Sequence, residues 1–554
     1  MENKKGYSNI QIWILYLTII TTLSYIIARQ IIFFTVDYVW YEKIIAFLLL
    51  LAEFFIIIHA LGYIIEVIRV LKNGKIYNRV EDIKVKTDGL DHEELENEPF
   101  VAIVIPSLNE PLDILENTLT TCCNLTYANK DIFLLDDTRY DGSNDEYKKK
   151  IEKLCKRKKV ALFRHTWRGA KAGMLNDFLA FLRKEQKSDV SCQFIKDDFE
   201  KHNSKYLIVF DADQNPFLDF IEPLVRYMEK KKNTAFIQTP QYYTNFEKNK
   251  VAKASGLQQA VFYEYISEGK SLADSMICCG TNIIYRLEAV NEVGGFDENS
   301  ITEDFALSFK LHQNGWHSHY YGRIGAFGMG PEDLGAYFKQ QYRWAAGTID
   351  TFKTTVKAFF HNPKQLSWIK WWEYFLSGTY YFIGFVFLIL FICPVLFIFF
   401  SIPSYFANPW IYGLIFGPYL LFGMTSFFMT LYHRGYKAKD LFLGQLLIMF
   451  TFPVYIRGAI AGLFTKKKKF VITPKGDSKK ISYYKLWPQL LVGFIALEAI
   501  FWGCTRLYYE KHLFFALAIN IFWCLYNVII MSMAFYYNNP EKAEPIIEEN
   551  KNGI

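Results

Sequence analysis

Long apolar segments constrain this chain more than any other feature of its sequence. Two of them, Ile10 to about Ala28 and Ile44 to about Ile68, lie near the N-terminus. Five more follow, over residues 371–400, 409–431, 441–463, 487–507 and 513–537. Because a helix of about 20 apolar residues crosses the hydrocarbon core of a bilayer, the pattern predicts a multi-pass membrane protein. Charged residues still form 21% of the 554 residues, so a soluble part is expected as well.

Basic residues predict how the segments are oriented. Lys4 and Lys5 precede the first segment, and a group of Lys and Arg from Arg69 to Arg79 follows the second. Such residues favour the cytosolic side, so both ends of this pair, and the soluble part after it, are expected in the cytosol. The net charge of +6 is small for the length and lies beside apolar runs. It favours attraction to anionic lipid or nucleotide over a nucleic-acid surface, and the expected location is the plasma membrane.

The segment at 441–463 is predicted not to cross. Basic residues from His433 to Lys439 precede it and Lys466–Lys469 follow it, and both groups favour the cytosol. A segment with both flanks on one side is better interpreted as an interfacial or re-entrant helix. Six crossings remain, with the soluble domain and both termini inside.

The region between the apolar groups has the pattern of an α/β domain. Short β-rich runs alternate with helix-like segments such as Leu112–Cys122, Ala170–Leu182 and Phe220–Met228. The runs are Val101–Ile105, Ile132–Leu135, Val160–Phe163, Tyr206–Phe210, Ala235–Gln238 and Asn282–Tyr285. Continuous apolar strands alternating with helices predict a largely parallel sheet covered on both faces. Ligands bind beyond the carboxyl ends of such strands.

Acidic residues occur at three places that this pattern puts at strand ends: Asp136-Asp137, Asp211 with Asp213, and Asp304. Carboxylates at positions i and i+2 after a strand can hold one Mg²⁺ together with substrate phosphates. A capped turn is the alternative for a single D-x-D. The D-x-D pair lies at a strand end, and the domain has two further acidic sites. Both facts favour a metal site over a capped turn.

Two further stretches indicate phosphate chemistry near a membrane. The segment 168–176, RGAKAGMLN, places glycines and Lys171 ahead of a helix, a composition suited to a pyrophosphate. It lacks the P-loop pattern, which disfavours an ATPase. Later, Gln340, Arg343 and Trp344 lie just before the second apolar group. An Arg and a Trp there suit a phosphorylated sugar and its acceptor.

Taken in order, these motifs resemble the processive family-2 glycosyltransferases, and within them bacterial cellulose synthase. The motifs are Asp136-Asp137, Asp211-x-Asp213, Thr302-Glu303-Asp304 and Gln340-x-x-Arg343-Trp344. Supporting stretches are IVIPSLNEP (103–111), VFDADQNP (209–216), IQTPQ (237–241) and CCGTN (278–282). Residues 470–475 are similar to that family's gating loop, F-x-V-T-x-K, with Ile in place of its Val.

The resemblance implies a GT-A-type α/β fold, a UDP-sugar donor, Mg²⁺ or Mn²⁺, and an α-helical channel that extrudes the polymer. By the same resemblance, Asp304 of the Thr302-Glu303-Asp304 triplet is the catalytic base. The resemblance also implies that Asp136 or Asp137 contacts the nucleoside, and that Asp211 and Asp213 bind the metal and the diphosphate. It implies that the pyrophosphate and the acceptor are bound by Gln340, Arg343 and Trp344. The residues implied to close over bound UDP are Phe470, Thr473 and Lys475.

The chemistry agrees with these roles. A sugar hydroxyl that attacks an α-linked UDP-sugar must lose its proton, which one nearby carboxylate can accept. The diphosphate leaving group needs positive charge and no general acid. A single displacement inverts the anomeric carbon, so the product is β-linked.

The predicted organisation follows from all of these patterns. It runs as an N-terminal membrane region (1–75, two crossings), a linker (76–98), a cytosolic GT-A domain (99–334), interfacial helices (335–370), a C-terminal membrane region (371–537, four crossings, with a gating-like loop at 464–480) and a polar tail (538–554).

The expected function is a β-glucan synthase using UDP-glucose, most simply for a cellulose-type β-1,4-glucan. Its expected partners are the growing glucan, the bilayer and accessory export subunits, and not nucleic acid. The motifs do not separate β-1,4 from β-1,3 or mixed linkages. The alternatives are a non-processive transferase acting on a polyprenyl phosphate and an export protein with an inactive transferase domain.

Overall fold

The structure is a computed structural model that describes residues 9–73, 98–140, 144–166, 171–185, 189–196, 203–404, 409–465 and 479–539. Nearly all of the predicted linker (76–98) and tail (538–554) therefore lies outside the described residues.

One large sheet organises the soluble domain. Its eight strands run in the order β10-β7-β9-β5-β1-β2-β3-β4, and a small second sheet has the order β6-β11-β8. The strands are β1 Val101–Ser107, β2 Lys130–Asp136, β3 Ala161–His165, β4 Val190–Gln193, β5 Tyr206–Val209, β6 Asn215–Pro216, β7 Thr234–Gln238, β8 Tyr242–Tyr243, β9 Ile283–Arg286, β10 His317–Tyr320 and β11 Ala326–Gly328.

Helices cover both faces of the large sheet. They are α3 Leu112–Cys123, α4 Asp145–Lys158, α5 Lys171–Leu182, α6 Ile221–Lys230, α7 Lys250–Val261, α8 Ser267–Leu272, α9 Leu287–Glu292 and α10 Glu303–Gln313. A π-helical turn, Phe262–Ile266, joins α7 to α8. Alternate residues of β1 enter two separate buried clusters, with Ala102 and Val104 in one and Val101 and Ile103 in the other. This two-sided burial explains why the strands are continuous apolar runs.

The prediction of a largely parallel sheet needs one correction. Strand β9 pairs antiparallel with both β5 and β7, and β4 pairs antiparallel with β3. The residues that reach the binding edge from β9 are therefore those that precede it, around Gly280 and Thr281, rather than those that follow it.

Among the described residues, six helical segments are long and apolar enough to cross a membrane, by length and composition. They comprise α1 Asn9–Thr35, α2 Trp40–Lys72, the pair α12 Trp368–Thr379 and α13 Ile383–Phe400, α14 Pro409–His433, α17 Trp487–Tyr509 and α18 Phe514–Tyr537. Together with the sheet domain they confirm the predicted class, an α/β domain joined to an α-helical membrane region.

Three further helices lie between the domain and these spans: α11 Leu334–His361, α15 Ala438–Phe450 and α16 Phe452–Phe464. The last two form one apolar unit bent by 51° near Thr451. Helix α16 packs closely along α11, since a Cβ on Gly458 would lie 2.5 Å from the Ala345 Cβ. The predicted interfacial segment 441–463 corresponds to this bent pair.

Buried ion pairs fasten the domain to the membrane helices. The Arg434 guanidinium, just after α14, donates to the Glu268 carboxylate of α8 at 2.7 Å. Lys270, also on α8, lies 2.9 Å from Glu373 of α12. Breaking a buried pair by removing one partner costs about 3–5 kcal/mol, so these contacts hold the domain in one orientation.

Candidate active site

Asp211 and Asp213 lie immediately beyond the fully buried strand β5. The Gln214 amide donates to the Asp211 carbonyl at 2.9 Å, which closes a turn, and the Asp211 amide donates to the Thr281 hydroxyl at 2.8 Å. The Asp211 side chain is 45% exposed, whereas Asp213 is buried and its carboxylate lies 3.4 Å from the Met329 amide. The turn thus presents one carboxylate outward and keeps its neighbour inside.

Lys171, the first residue of α5, links Asp211 to the loop before β9. Its ammonium group donates to the Asp211 carboxylate at 2.6 Å and to the Gly280 carbonyl at 2.7 Å. Burial alone lowers the pKa of this group, but attraction to the Asp211 and Glu303 carboxylates outweighs it and raises the pKa. Lys171 is therefore a fixed cation at the edge of the site.

Asp304 lies in the first turn of α10, not at a strand end as predicted. The Phe305 amide donates to its carboxylate at 2.8 Å, as expected for an anion at a helix N-terminus. Gly280, at φ +77°, approaches so closely that a Cβ there would lie 2.9 Å from the other carboxylate oxygen. Burial raises the pKa of the Asp304 carboxyl, while the charges of Lys171 and Arg343 act against that increase.

Glu303 is buried beside Asp304, and the two carboxyls interact. Burial and repulsion from Asp304 raise the pKa of Glu303 to about 7, opposed by Lys171 and Arg343. Two carboxyls and two cations thus share one site.

Helix α11 joins this site to the membrane helices. Asp333 caps its first turn by accepting from the Ala336 amide at 2.8 Å. Gly347 allows Thr302 to pack against the helix, since a Cβ there would lie 2.4 Å from the Thr302 methyl group. One turn earlier on α11, the charge of Arg343 lowers the pKa values of the Glu303 and Asp304 carboxyls. The next residue, Trp344, packs against the apolar cluster of the membrane helices.

Asp136 and Asp137 lie at the same edge as Asp211, one strand beyond β1. The Asp136 carboxylate accepts from Arg164 at 2.9 Å and from the Tyr140 hydroxyl at 2.6 Å. The Asp137 carboxylate lies 3.0 Å from the His165 imidazole. Both acids are buried and held in place, so they order this part of the edge.

The acids after β5 suit a hard divalent cation. Mg²⁺ and Mn²⁺ prefer oxygen ligands and are often held by one or two carboxylates plus substrate phosphates. Asp211 and Asp213 supply such a pair, whereas no group of three or more His, Cys, Asp or Glu suited to a metal occurs among the described residues. A cation here fits only if the substrate completes its coordination.

Two glycosyl transferase families match this chain. Residues 206–537 match the family described as "Glycosyl transferase family group 2", and residues 102–294 match "Glycosyl transferase family 2". The first match spans more than half of the chain. The chain belongs to glycosyl transferase family group 2.

Individual relatives of this family-2 chain are cellulose synthase subunits. It is 23% identical over 514 residues, 89% of its length, to the cellulose synthase catalytic subunit [UDP-forming] of Pseudomonas fluorescens. It is 24% identical over 449 residues, 78% of its length, to cellulose synthase 1 catalytic subunit [UDP-forming] of Komagataeibacter xylinus. The chain spans 62% and 55% of the lengths of these two relatives.

Among solved structures, a mannosyltransferase from Pyrobaculum calidifontis, in complex with GDP-Man and Mn²⁺, matches 75% of this chain and 100% of its own. The identity is 13% and the TM-score 0.46.

The family-2 fold brings one set of predicted residues together. Lys171 contacts Asp211 directly. Together with Arg343, it lowers the pKa values of the Glu303 and Asp304 carboxyls against the effect of burial. Thr302 packs on the helix that carries Gln340, Arg343 and Trp344. Phe470, Thr473 and Lys475, predicted to close over UDP, lie outside the described residues.

Sequence reasoning missed several residues that shape the site. Arg164 and His165 hold the two acids after β2, and Ser308 ties α10 to the loop before β9. The sequence marks Arg164 and His165 only by their position at the end of β3, the strand next to β2. No local pattern marks such long-range partners.

Proposed function

We propose that this chain is a membrane-embedded processive β-glucan synthase that transfers glucose from UDP-glucose with inversion. The observation that best supports this proposal is the position of the Asp304 carboxylate. It lies at a helix N-terminus, against Gly280, where the charges of Lys171 and Arg343 act on it. The similarity to UDP-forming cellulose synthases supports a UDP-sugar donor and a β-1,4-glucan product.

Asp304 acts as the general base in this proposal. The acceptor hydroxyl forms a bond to the anomeric carbon, and its proton passes to the Asp304 carboxylate as the bond to the diphosphate breaks. Such proton transfer contributes about 100- to 10,000-fold in rate. Its raised pKa, still below that of a sugar hydroxyl, makes Asp304 a stronger base than an exposed aspartate.

Lys171 and Arg343 stabilise the leaving group. UDP departs with the electron pair of the broken bond, and fixed cations that already face it lower the barrier without reorganising. The contact of the Lys171 ammonium group with the Asp211 carboxylate at 2.6 Å supports this role for Lys171. A Mg²⁺ or Mn²⁺ on Asp211, Asp213 and the phosphates would add further charge stabilisation.

The membrane region supports processive synthesis and extrusion across the plasma membrane, with the catalytic domain on the cytosolic side. Helix α11 contacts the base triplet through Gly347 and the apolar helices through Trp344. A chain end held near Trp344 would lie between the donor site and the six candidate spans. The proposal also includes accessory export subunits, which rest only on the resemblance of the sequence motifs to bacterial cellulose synthase.

Asp304→Asn tests the base assignment, because it keeps the size and the Phe305 contact but cannot accept the proton. We expect purified Asp304→Asn protein to bind UDP like wild type and to make at least about 100-fold less polymer from radiolabelled UDP-glucose. Asp297→Asn is the control and should be active, because the Asp297 carboxylate accepts from the Asn299 amide and lies 3.8 Å from Lys310, outside the site. Near-normal synthesis by Asp304→Asn would refute the assignment.

Product analysis separates the remaining alternatives. Methylation linkage analysis of the wild-type product distinguishes β-1,4 from β-1,3 and mixed glucans. A single transferred sugar, found instead of a long polymer, would favour the polyprenyl-phosphate transferase. No UDP release from any UDP-sugar would favour an inactive domain.

A further inference from the structure

The loop Cys278–Asn282 connects the two halves of the proposed catalytic site. On one side, Gly280 lies against the Asp304 carboxylate. On the other, the Thr281 hydroxyl accepts from the Asp211 amide, and the Gly280 carbonyl accepts from Lys171. The position of this loop therefore sets the distance between the base and the group that binds the diphosphate.

One buried side chain contacts this loop on both sides of Gly280. Gln238, at the end of β7, is fully buried, and its carboxamide oxygen accepts from the Cys279 amide at 2.8 Å. Its amide nitrogen donates to the carbonyls of Thr281 and Thr239, each at 2.8 Å. Because a backbone amide can only donate, the Cys279 contact fixes which end of the carboxamide is which.

Secondary contacts complete the attachment. Ser308 of α10 accepts from the Cys278 amide at 2.7 Å and donates to the Asp304 carbonyl at 2.8 Å. Gln241 donates to the Cys279 carbonyl at 3.2 Å, and Asn282 donates to Gln214 at 2.9 Å. Gln238 differs from these residues in bridging Cys279 and Thr281, the two neighbours of Gly280.

We propose that Gln238 is a positioning residue for sugar transfer: it fixes the Cys278–Asn282 loop so that Asp304 and Asp211 keep their separation. It does not touch the substrate. This inference rests on the proposed function, since it concerns the geometry of that same site. A displacement of about 1 Å in such a site can cost about 100-fold in rate, so a loosened loop should act mainly on kcat.

Gln238→Met tests the proposal, because it keeps the side-chain length and removes every hydrogen bond of the carboxamide, including a longer one to the Asn282 carbonyl at 3.4 Å. With UDP-glucose as substrate we expect kcat to fall about 10- to 100-fold. The KM for UDP-glucose should change less than about threefold, because binding groups stay in place. Gln489→Met, which removes another buried carboxamide from α17, is the control and should keep wild-type kcat.

Gln238→Glu supplies a readout that a merely structural role would not move. An ionised carboxylate accepts from Cys279 but repels the Thr281 and Thr239 carbonyls, whereas a protonated carboxyl donates to one of them. The ratio of variant to wild-type kcat should therefore rise as pH is lowered from about 9 to about 6. Added negative charge near Lys171, Asp211 and Asp304 would instead raise the pKa of Asp304 and make that ratio fall.

The outcomes separate this inference from the proposed function. If wild type makes no polymer and releases no UDP, the proposed function fails and this inference with it. If wild type is active and Gln238→Met keeps its kcat, only the positioning role is overturned. A Gln238→Glu ratio that is flat or falls with decreasing pH also overturns it, even where Gln238→Met fails to fold.

Discussion

Lys171 and Arg343 matter at the scale of single residues because they share a poorly solvated site with two carboxyls. Burial raises the pKa of Asp304, and the two cations limit the increase. A base must be ionised to accept a proton, so a raised pKa moves the acid limb of the activity profile to higher pH.

We therefore expect polymer synthesis to fall as pH decreases through the raised pKa of Asp304. Lys171→Met removes a cation that lowers this pKa, so its acid limb should lie at higher pH than that of wild type. The measurement is kcat against pH with saturating UDP-glucose. Lys310→Met, on α10 but facing Asp297 at 3.8 Å, is the matched control and should leave the limb in place. A limb that does not move in Lys171→Met would contradict the electrostatic account.

Gly280 gives a second residue-scale prediction. Gly280→Ala places a Cβ 2.9 Å from the Asp304 carboxylate and strains a backbone at φ +77°. We expect an activity loss of about 10- to 100-fold from the displaced carboxylate, measured as UDP release.

Gly315→Ala separates the contact from the strain. Gly315 has nearly the same φ, +80°, but no atom lies within 4 Å of its would-be Cβ. Both variants should lose about 1–2 kcal/mol of stability from the left-handed backbone. Only Gly280→Ala should lose activity, and equal losses in both would point to strain alone.

At the scale of elements, the sequence was most informative where a pattern is local. Asp211 and Asp213 directly follow an apolar strand, and that position alone predicted their place at the binding edge. Strand β9 was located but not its direction, because a short run such as Ile283–Tyr285 does not reveal from its sequence which way it runs in the sheet. Gln238 belongs to the IQTPQ motif, yet its partner Cys279 lies 41 residues away, a pairing that only the fold creates.

The close contact between α11 and α16 likewise joins residues that are far apart in the sequence. A Cβ on Gly458 would lie 2.5 Å from the Ala345 Cβ and 3.1 Å from the Tyr342 carbonyl, within one turn of Arg343. Gly458→Ala should overpack this contact and cost about 1–3 kcal/mol, measured as a lower unfolding temperature in detergent. Gly417→Ala, on α14 with no atom within 4 Å, should instead be neutral or stabilise by up to about 1 kcal/mol. Equal unfolding temperatures for the two variants would contradict close packing here.

At the scale of the whole molecule, the buried pairs between α8 and the membrane helices hold the sheet domain in one position. Glu268 and Lys270 lie two residues apart and contact different helices, after α14 and in α12. Such a joint limits rocking of the domain. Under the proposed function, an acceptor end near Trp344 would therefore keep its distance from Asp304 during repeated transfers.

The bent pair of α15 and α16 decides the number of crossings. Near its start, Asp440 lies 3.4 Å from Lys253 of the sheet domain. Near its end, the Leu463 carbonyl accepts from Lys353 of α11 at 3.2 Å. Both ends thus contact elements on the side of the sheet domain. Each half has 13 residues, about 20 Å of helix, which is less than the hydrocarbon thickness.

We therefore expect both ends of this pair to face the cytosol. In a chain whose native cysteines are replaced, Lys437→Cys and Thr465→Cys should resist a membrane-impermeant thiol reagent in intact cells and react after the membranes are opened. Lys511→Cys, between α17 and α18, should react in intact cells, because six crossings place that turn outside. Labelling of only one of positions 437 and 465 in intact cells would make the bent pair a seventh crossing. That result would place α17 and α18 in the opposite orientation and move residue 511 to the inside, so the control and the test must change together.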